Sequence, residues 1–419
     1  MLHLALFVGR SEWIFISGLV GFLIGLLASL LNLPLAVTLA LAMTGILLGA
    51  ALLVRDVFGL LGRWSSWTIR RLQRPIHFPE DTVVPFLPVI IEVPGGRAAI
   101  DPDLDALLST ARNRIRWSEK PYRLPDELAQ VAPYVLRTSA SGRWSFNGPN
   151  VRLETDLSQE MIAGCEDVAT RPGNFFSALC SNELAGWALT SSGHEWDFKN
   201  RFVLDPDDRM IPLGRSQLLN SVGVSTLAVT EDLKLLIALQ SMSSQSGAGS
   251  WTPSGSGALE PRDGLSNPDP LLVDVITRGA TRELCEEARI DPSWVGQSRV
   301  IGYSRWLDRG GKPEFYCVTK LNVHSTALRT GSRTHSRFSE ERTWTADVQL
   351  LDLDPAAAST ILEATPRELH RPPLWSDSGM IANPKILEGS TSVSLHLALD
   401  ALARALQRSP NLLDELATG

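Results

Sequence analysis

The chain has 419 residues, 44% of them hydrophobic and 20% charged, with a formal net charge of −7. That length holds roughly two domains of ordinary size beside a membrane segment. The acidic balance argues against a duplex nucleic-acid binder with a broad basic face and leaves small phosphorylated ligands open. Cys165, Cys180, Cys285 and Cys317 form no CxxC pair, and the seven histidines add no zinc spacing to them. Reduced thiols in a cytosolic compartment, with buried packing as their role, are expected.

Residues 1–74 read as a membrane hairpin. No charged residue occurs from Trp13 to Val54, a run of 42 broken only around Asn32-Leu33-Pro34, and this predicts two spans of about twenty residues joined by a tight turn. A cleaved signal peptide has one short apolar core and accounts for half the run at best. Arg55, Arg63, Arg70, Arg71 and Arg74 follow the second span, which predicts that both chain ends and everything after Val54 face the cytoplasm. Trp13, Trp64 and Trp67 stand where interfacial aromatics are expected. Gly21 with Gly25, and Gly45 with Gly49, have the GxxxG spacing that lets helices approach closely, so hairpin closure or a homo-oligomer through these helices is expected.

Residues 75–145 form a Pro-rich connector or small packing module, with a strand expected in Val83 to Val93 and a helix in Leu104 to Ile115. From 146 the texture is α+β. Asn174 to Leu189 has helical periodicity, and Ser225 to Thr230 and Lys234 to Gln240 read as a hairpin about Glu231-Asp232. Ser241 to Gly257 is a Ser/Gly-rich loop. A helix follows with Ile276, Ala280, Leu284 and Ala288 on its apolar face. Arg299 to Trp306 and Glu314 to Asn322 read as strands around Asp308-Arg309-Gly310-Gly311. Thr343 to Leu351 is another strand, and Pro355 to Ala364 and Thr391 to Leu406 read as amphipathic helices.

The chemistry concentrates in Arg282-Glu283-Leu284-Cys285-Glu286-Glu287. On a helix Glu283 and Glu287 are i,i+4 neighbours with Glu286 beside both, so they repel unless a cation relieves them. Oxygen-only ligands suit Mg²⁺ or Mn²⁺, with substrate phosphates completing the shell. A solvated acidic helix face is the plainer alternative.

This stretch resembles the core of the Nudix box, Gly, five residues, Glu, seven residues, Arg-Glu-aliphatic-x-Glu-Glu-x-Gly-aliphatic. Arg282, Glu283, Leu284, Glu286, Glu287 and Ile290 match it, while Arg289 stands at the second Gly. Upstream, Gly257 fits the first position. Asp263 and Asp274 compete for the first Glu, as if about eleven residues interrupt the box. The resemblance implies an α/β/α sandwich with long insertions over 146–419 and hydrolysis of nucleoside diphosphate derivatives. It assigns Glu283, Glu286 and Glu287 to metal or water and Arg282 to orienting a carboxylate. Gly257 would let phosphates approach, and Glu340 or Glu341 would add a ligand. Trp251, Trp306 and Trp344 are candidates for stacking on a base. No GxxxxGK, GxSxG or HExxH motif is present. Hairpin and box together resemble the transmembrane-Nudix effectors of bacterial CBASS antiphage immunity, which implies that the membrane is the bacterial inner membrane and that the domain binds a cyclic oligonucleotide and disrupts it. A tethered pyrophosphohydrolase is the alternative, and the carboxylates leave open whether the ligand is a substrate or a signal.

Overall fold

The computed structural model describes residues 67–72, 78, 79, 82–140, 147–191, 193–241, 249–265, 268–331, 345–360, 374–382 and 390–418, with scattered helical positions between 23 and 54. Its centre is a nine-stranded mixed sheet made of β1 (Val89–Val93), β2 (Gly96–Ile100), β3 (Gly223–Val229), β4 (Lys234–Gln240), β5 (Trp251–Thr252), β6 (Gly255–Ala258), β7 (Val295–Trp306), β8 (Lys312–Leu321) and β9 (Thr345–Asp352). The spatial order is β5-β4-β3-β8-β7-β2-β1, with β6 also paired to β3 and β9 to β4. Only β3 with β8 is parallel; the other pairings of this sheet are antiparallel. Two strands thus come from residues 89–100, in the stretch read as a connector. Two three-stranded sheets lie outside it, one of which pairs Trp67–Arg71 with Trp187–Ser191.

Strand β8 shows why the sheet is covered on both faces. Phe315 and Cys317 point into a core shared with Val275, Ile276 and Ala280 of α2 (Leu272–Glu287), after α1 (Pro102–Leu108) has passed along β7. Tyr316 and Val318 point the other way, against Leu395, Leu399 and Leu402 of α3 (Val393–Arg408). A strand buried on both faces reads as an apolar run, as the middle of β8 does from Phe315 to Val318, while its ends carry Lys312, Glu314 and Lys320. Ser392 caps α3 by accepting from the Leu395 N–H. The helix has the amphipathic pattern expected of it, but its polar side is not exposed, because every residue from Val393 to Leu406 is buried. Its charges find partners inside: Arg404 meets Asp400 one turn away and donates to Asp105 of α1 at 3.1 Å.

The transmembrane hairpin is corrected. Among the described residues no helix is long and apolar enough to cross a membrane. The longest helices described, α2 and α3, have 16 residues each, or ~24 Å of rise against the ~30 Å hydrocarbon core. Multi-pass inner-membrane placement is withdrawn with it. Most of Trp13 to Val54, Gly21 and Gly25 among them, lies outside the described residues. The helix expected in Asn174 to Leu189 is also divided: Asn174 caps Phe175–Leu179, a 3₁₀ turn covers Asn182–Gly186, and Trp187–Ser191 is a strand. All four cysteines are free, but Cys165 is exposed rather than packed.

Candidate functional site

The box lies where α2 meets β6 almost backbone to backbone. A Cβ on Gly255 would fall 2.4 Å from the Leu284 nitrogen, and one on Gly257 would fall 2.2 Å from the Glu283 carboxyl carbon. The two glycines of β6 therefore set how closely the helix approaches, and they place the Glu283 carboxylate against Gly257. The free edge of β6 is then capped from α2. The Ser256 N–H donates to Glu287 Oε2 at 2.8 Å, and Arg282 Nη2 donates to the Ala258 carbonyl at 2.9 Å.

Arg282 organises the remaining carboxylates. Its Nε and Nη2 donate to the two oxygens of Asp263 at 2.9 and 3.1 Å, the two-pronged geometry that fixes both partners. Its Nη1 donates to Glu283 at 2.8 Å and to Glu286 at 3.1 Å. Arg262 binds Glu260 at 2.7 Å and Glu286 at 3.1 Å. Asp263 is thus the carboxylate brought to Arg282, whereas Asp274 is exposed in the first turn of α2. Glu260 and Arg262 were not singled out by spacing, although both lie in the short run between Gly257 and Asp263.

Four carboxylates here (Glu260, Asp263, Glu283 and Glu286) share two guanidinium groups, and a fifth, Glu287, is bonded by the Ser256 N–H. The excess is buried enough to move titrations. Burial raises the Glu283 carboxyl to about 7, against the opposing pull of Arg282. Burial, followed by the charge of Glu283, raises Glu287 well above the usual carboxylate range. Hydrogen bonding to Asp263 and the field of Glu283 hold Arg282 firmly protonated despite its burial.

Among the described residues no three His, Cys, Asp or Glu side chains stand gathered in a ready-made metal shell. Arg282 and the Ser256 N–H take lone pairs that a cation would otherwise take. The donor set still fits a hard divalent ion, being all oxygen and in excess of its guanidinium partners, with Glu283 and Glu287 held back from ionising by burial. Glu283, Glu286 and Glu287 would hold it.

This has a pH consequence. Glu283 has its folded value raised from an ordinary 4.5 to about 7, so between those values the metal-free fold holds a proton that the unfolded chain releases. Its contribution to stability is full below about pH 4.5 and is lost as the pH rises through 7. Bound Mg²⁺ requires the ionised form. If these carboxylates take Mg²⁺, any rise in melting temperature on adding it is expected to grow between about pH 5 and about pH 8, and thermal melts showing the same increment at both ends would contradict this.

The turn after α2 is made without glycine. Ala288 caps the helix and Arg289 follows in the left-handed region with φ 56°, the conformation for which a glycine is the unstrained choice. Arg289→Gly is expected to raise unfolding free energy by about 1 kcal/mol, read from chemical denaturation, without moving the carboxylates.

Beside the box opens a cavity of about 780 Å³ lined in part by Ser256, Gly257 and Ala258. Strand β6 is thus a wall common to the cavity and the carboxylate cluster. Trp306 lines the cavity, with the Arg309 guanidinium 4.4 Å over its ring. Trp251 instead packs against the α3 core. Glu340, Glu341 and Trp344 lie outside the described residues. Lys312, Glu314 and Asp308 also face the cavity; burial raises the Asp308 carboxyl, opposed by the Arg97 N–H that it accepts at 2.5 Å. Alternation of Lys312 and Glu314 about Pro313 was the available signal for the first two, since polar residues two apart share one strand face.

No family model matches the chain, and no curated protein matches it. Among solved structures, DR0079 from Deinococcus radiodurans matches at 15% identity over 37% of this chain and 83% of that chain, with a TM-score of 0.22. A likeness at that score carries no argument about fold or activity.

Proposed function

We propose that the protein is a Mg²⁺- or Mn²⁺-dependent hydrolase of nucleoside diphosphate derivatives, acting at Glu283, Glu286 and Glu287. One observation carries this reading: more carboxylates than guanidinium groups are held against a glycine strand that also walls a large cavity. A divalent ion, when bound, supplies charge neutralisation at phosphoanhydride oxygens and a more acidic water. The chain's own part is to orient. Asp263 and Arg282 lock each other and aim Glu283 and Glu286, while Ser256 fixes one oxygen of Glu287 and leaves the other for a water or an ion. Gly257 offers backbone that a phosphate can approach closely.

The effector reading drew on the membrane hairpin for its architecture, and without that the enzyme reading has the better support. The test is a panel of nucleoside diphosphate sugars, dinucleoside polyphosphates and cyclic oligonucleotides incubated with the full chain, with and without Mg²⁺. Metal-dependent release of a nucleoside monophosphate from at least one diphosphate derivative is expected. Tight binding of a cyclic oligonucleotide with no diphosphate derivative cleaved would replace the hydrolase by a sensor.

A further inference from the structure

Strand register sets a second charged pair at a defined distance from the box. Ala258 of β6 pairs with Gly223 of β3, and Gly223 pairs with Glu314 of β8. At about 4.8 Å per strand, Glu314 is roughly 10 Å from the box strand. Polar contacts join the two places: the Ser256 and Ser225 hydroxyls lie 3.1 Å apart, and Ser225 donates to Glu314 Oε1 at 2.9 Å. Lys312 Nζ donates to the other Glu314 oxygen.

The pair is unusual in its burial, with side-chain exposures of 11% for Lys312 and 3% for Glu314. Room for it depends on Gly223, where a Cβ would stand 1.8 Å from Glu314 Oε2 and 2.3 Å from Lys312 Nζ. Stability does not explain it, because desolvating two charges costs about what their attraction returns, and apolar replacements are often neutral or better. Both side chains face the cavity, and an ammonium has three N–H groups, of which Glu314 takes one. Trp306, paired with Lys312 across the β7–β8 hairpin, lines the same cavity.

We propose that Lys312 and Glu314 read the base of the nucleotide and select one with a lactam edge, a carbonyl beside a ring N–H. The inference rests on the hydrolase reading above. The ammonium donates to the carbonyl and the carboxylate accepts from the N–H. Adenine and cytosine present the opposite pattern, an amino donor beside a bare ring nitrogen, so each would set donor against donor and acceptor against acceptor. Trp306 supplies an aromatic surface for the ring.

The experiment is calorimetric titration of the full chain, at fixed Mg²⁺, with GDP, IDP, UDP, ADP and CDP. The first three are expected to bind at least about tenfold tighter than the last two. The double variant Lys312→Met with Glu314→Gln should bring the Kd for GDP to that of ADP. N1-methyl-GDP, which lacks the ring N–H, should bind the unaltered protein no better than ADP, a comparison independent of how the variant folds. Equal affinities for all five, a preference that survives the double variant, or full affinity for N1-methyl-GDP would each overturn the assignment. If Mg²⁺-dependent hydrolysis persists in any of these cases, the hydrolase reading stands and only the base assignment fails. A chain that binds no nucleotide at all overturns both.

Discussion

Glu287→Gln is expected to lower Mg²⁺-dependent hydrolysis by about 10²–10⁴-fold, the range for removing a positioned acid or base, while raising the melting temperature of the metal-free protein near neutral pH. The two effects share a cause. Burial, and then the neighbouring Glu283 charge, oppose ionisation of Glu287, so the fold must take up a proton there that the unfolded chain releases, and a neutral amide removes that cost. The same change removes an oxygen charge that a cation requires. Glutamine keeps an acceptor for the Ser256 N–H, so local geometry is preserved. Initial rates and thermal melts on the same preparation separate the outcomes, and lost activity accompanied by a lowered melting temperature would point to structural damage.

Gly255→Ala is expected to be the more damaging change to the fold. The new methyl would lie 2.4 Å from the Leu284 nitrogen and 2.6 Å from its Cα, and backbone cannot swing aside as a side chain can. Helix α2 must lift from β6, at a cost of about 1–3 kcal/mol or more. Gly257→Ala meets the Glu283 carboxylate instead, which is the end of a rotatable side chain. It should therefore cost less stability and more activity, since it displaces the ligand group. Denaturant midpoints and rates for the two variants test this ordering; a Gly255→Ala protein as stable as the parent would contradict the close packing.

The contrast between these glycines shows what spacing along the chain can and cannot convey. The carboxylate cluster was legible because helix periodicity alone puts Glu283, Glu286 and Glu287 on one helix, and Gly257 was singled out by its spacing ahead of them. Asp263 could not be chosen over Asp274 by counting, since only the folded chain shows that Asp263 meets Arg282. The β3–β4 and β7–β8 hairpins follow from alternation and turn residues close in sequence. The parallel pairing of β3 with β8 joins residues some ninety positions apart, and it is this pairing that sets Glu314 beside Gly223. Helix α3 misled for a related reason, because its apparent polar face is buried with Arg404 answering Asp105 from far upstream. The apolar run from Trp13 to Val54 conveys avoidance of water; most of it lies outside the described residues, among which no helix is long and apolar enough to cross a membrane.

The most direct measurement is titration of Mg²⁺ and Mn²⁺ into the full chain and into the variant carrying Glu283→Gln, Glu286→Gln and Glu287→Gln, each with and without a nucleoside diphosphate. Saturable binding in the parent protein, strengthened by nucleotide and absent from the triple variant, is the predicted result. Equal binding by the two proteins, or none by the parent even with nucleotide present, would contradict a metal-dependent site at these carboxylates.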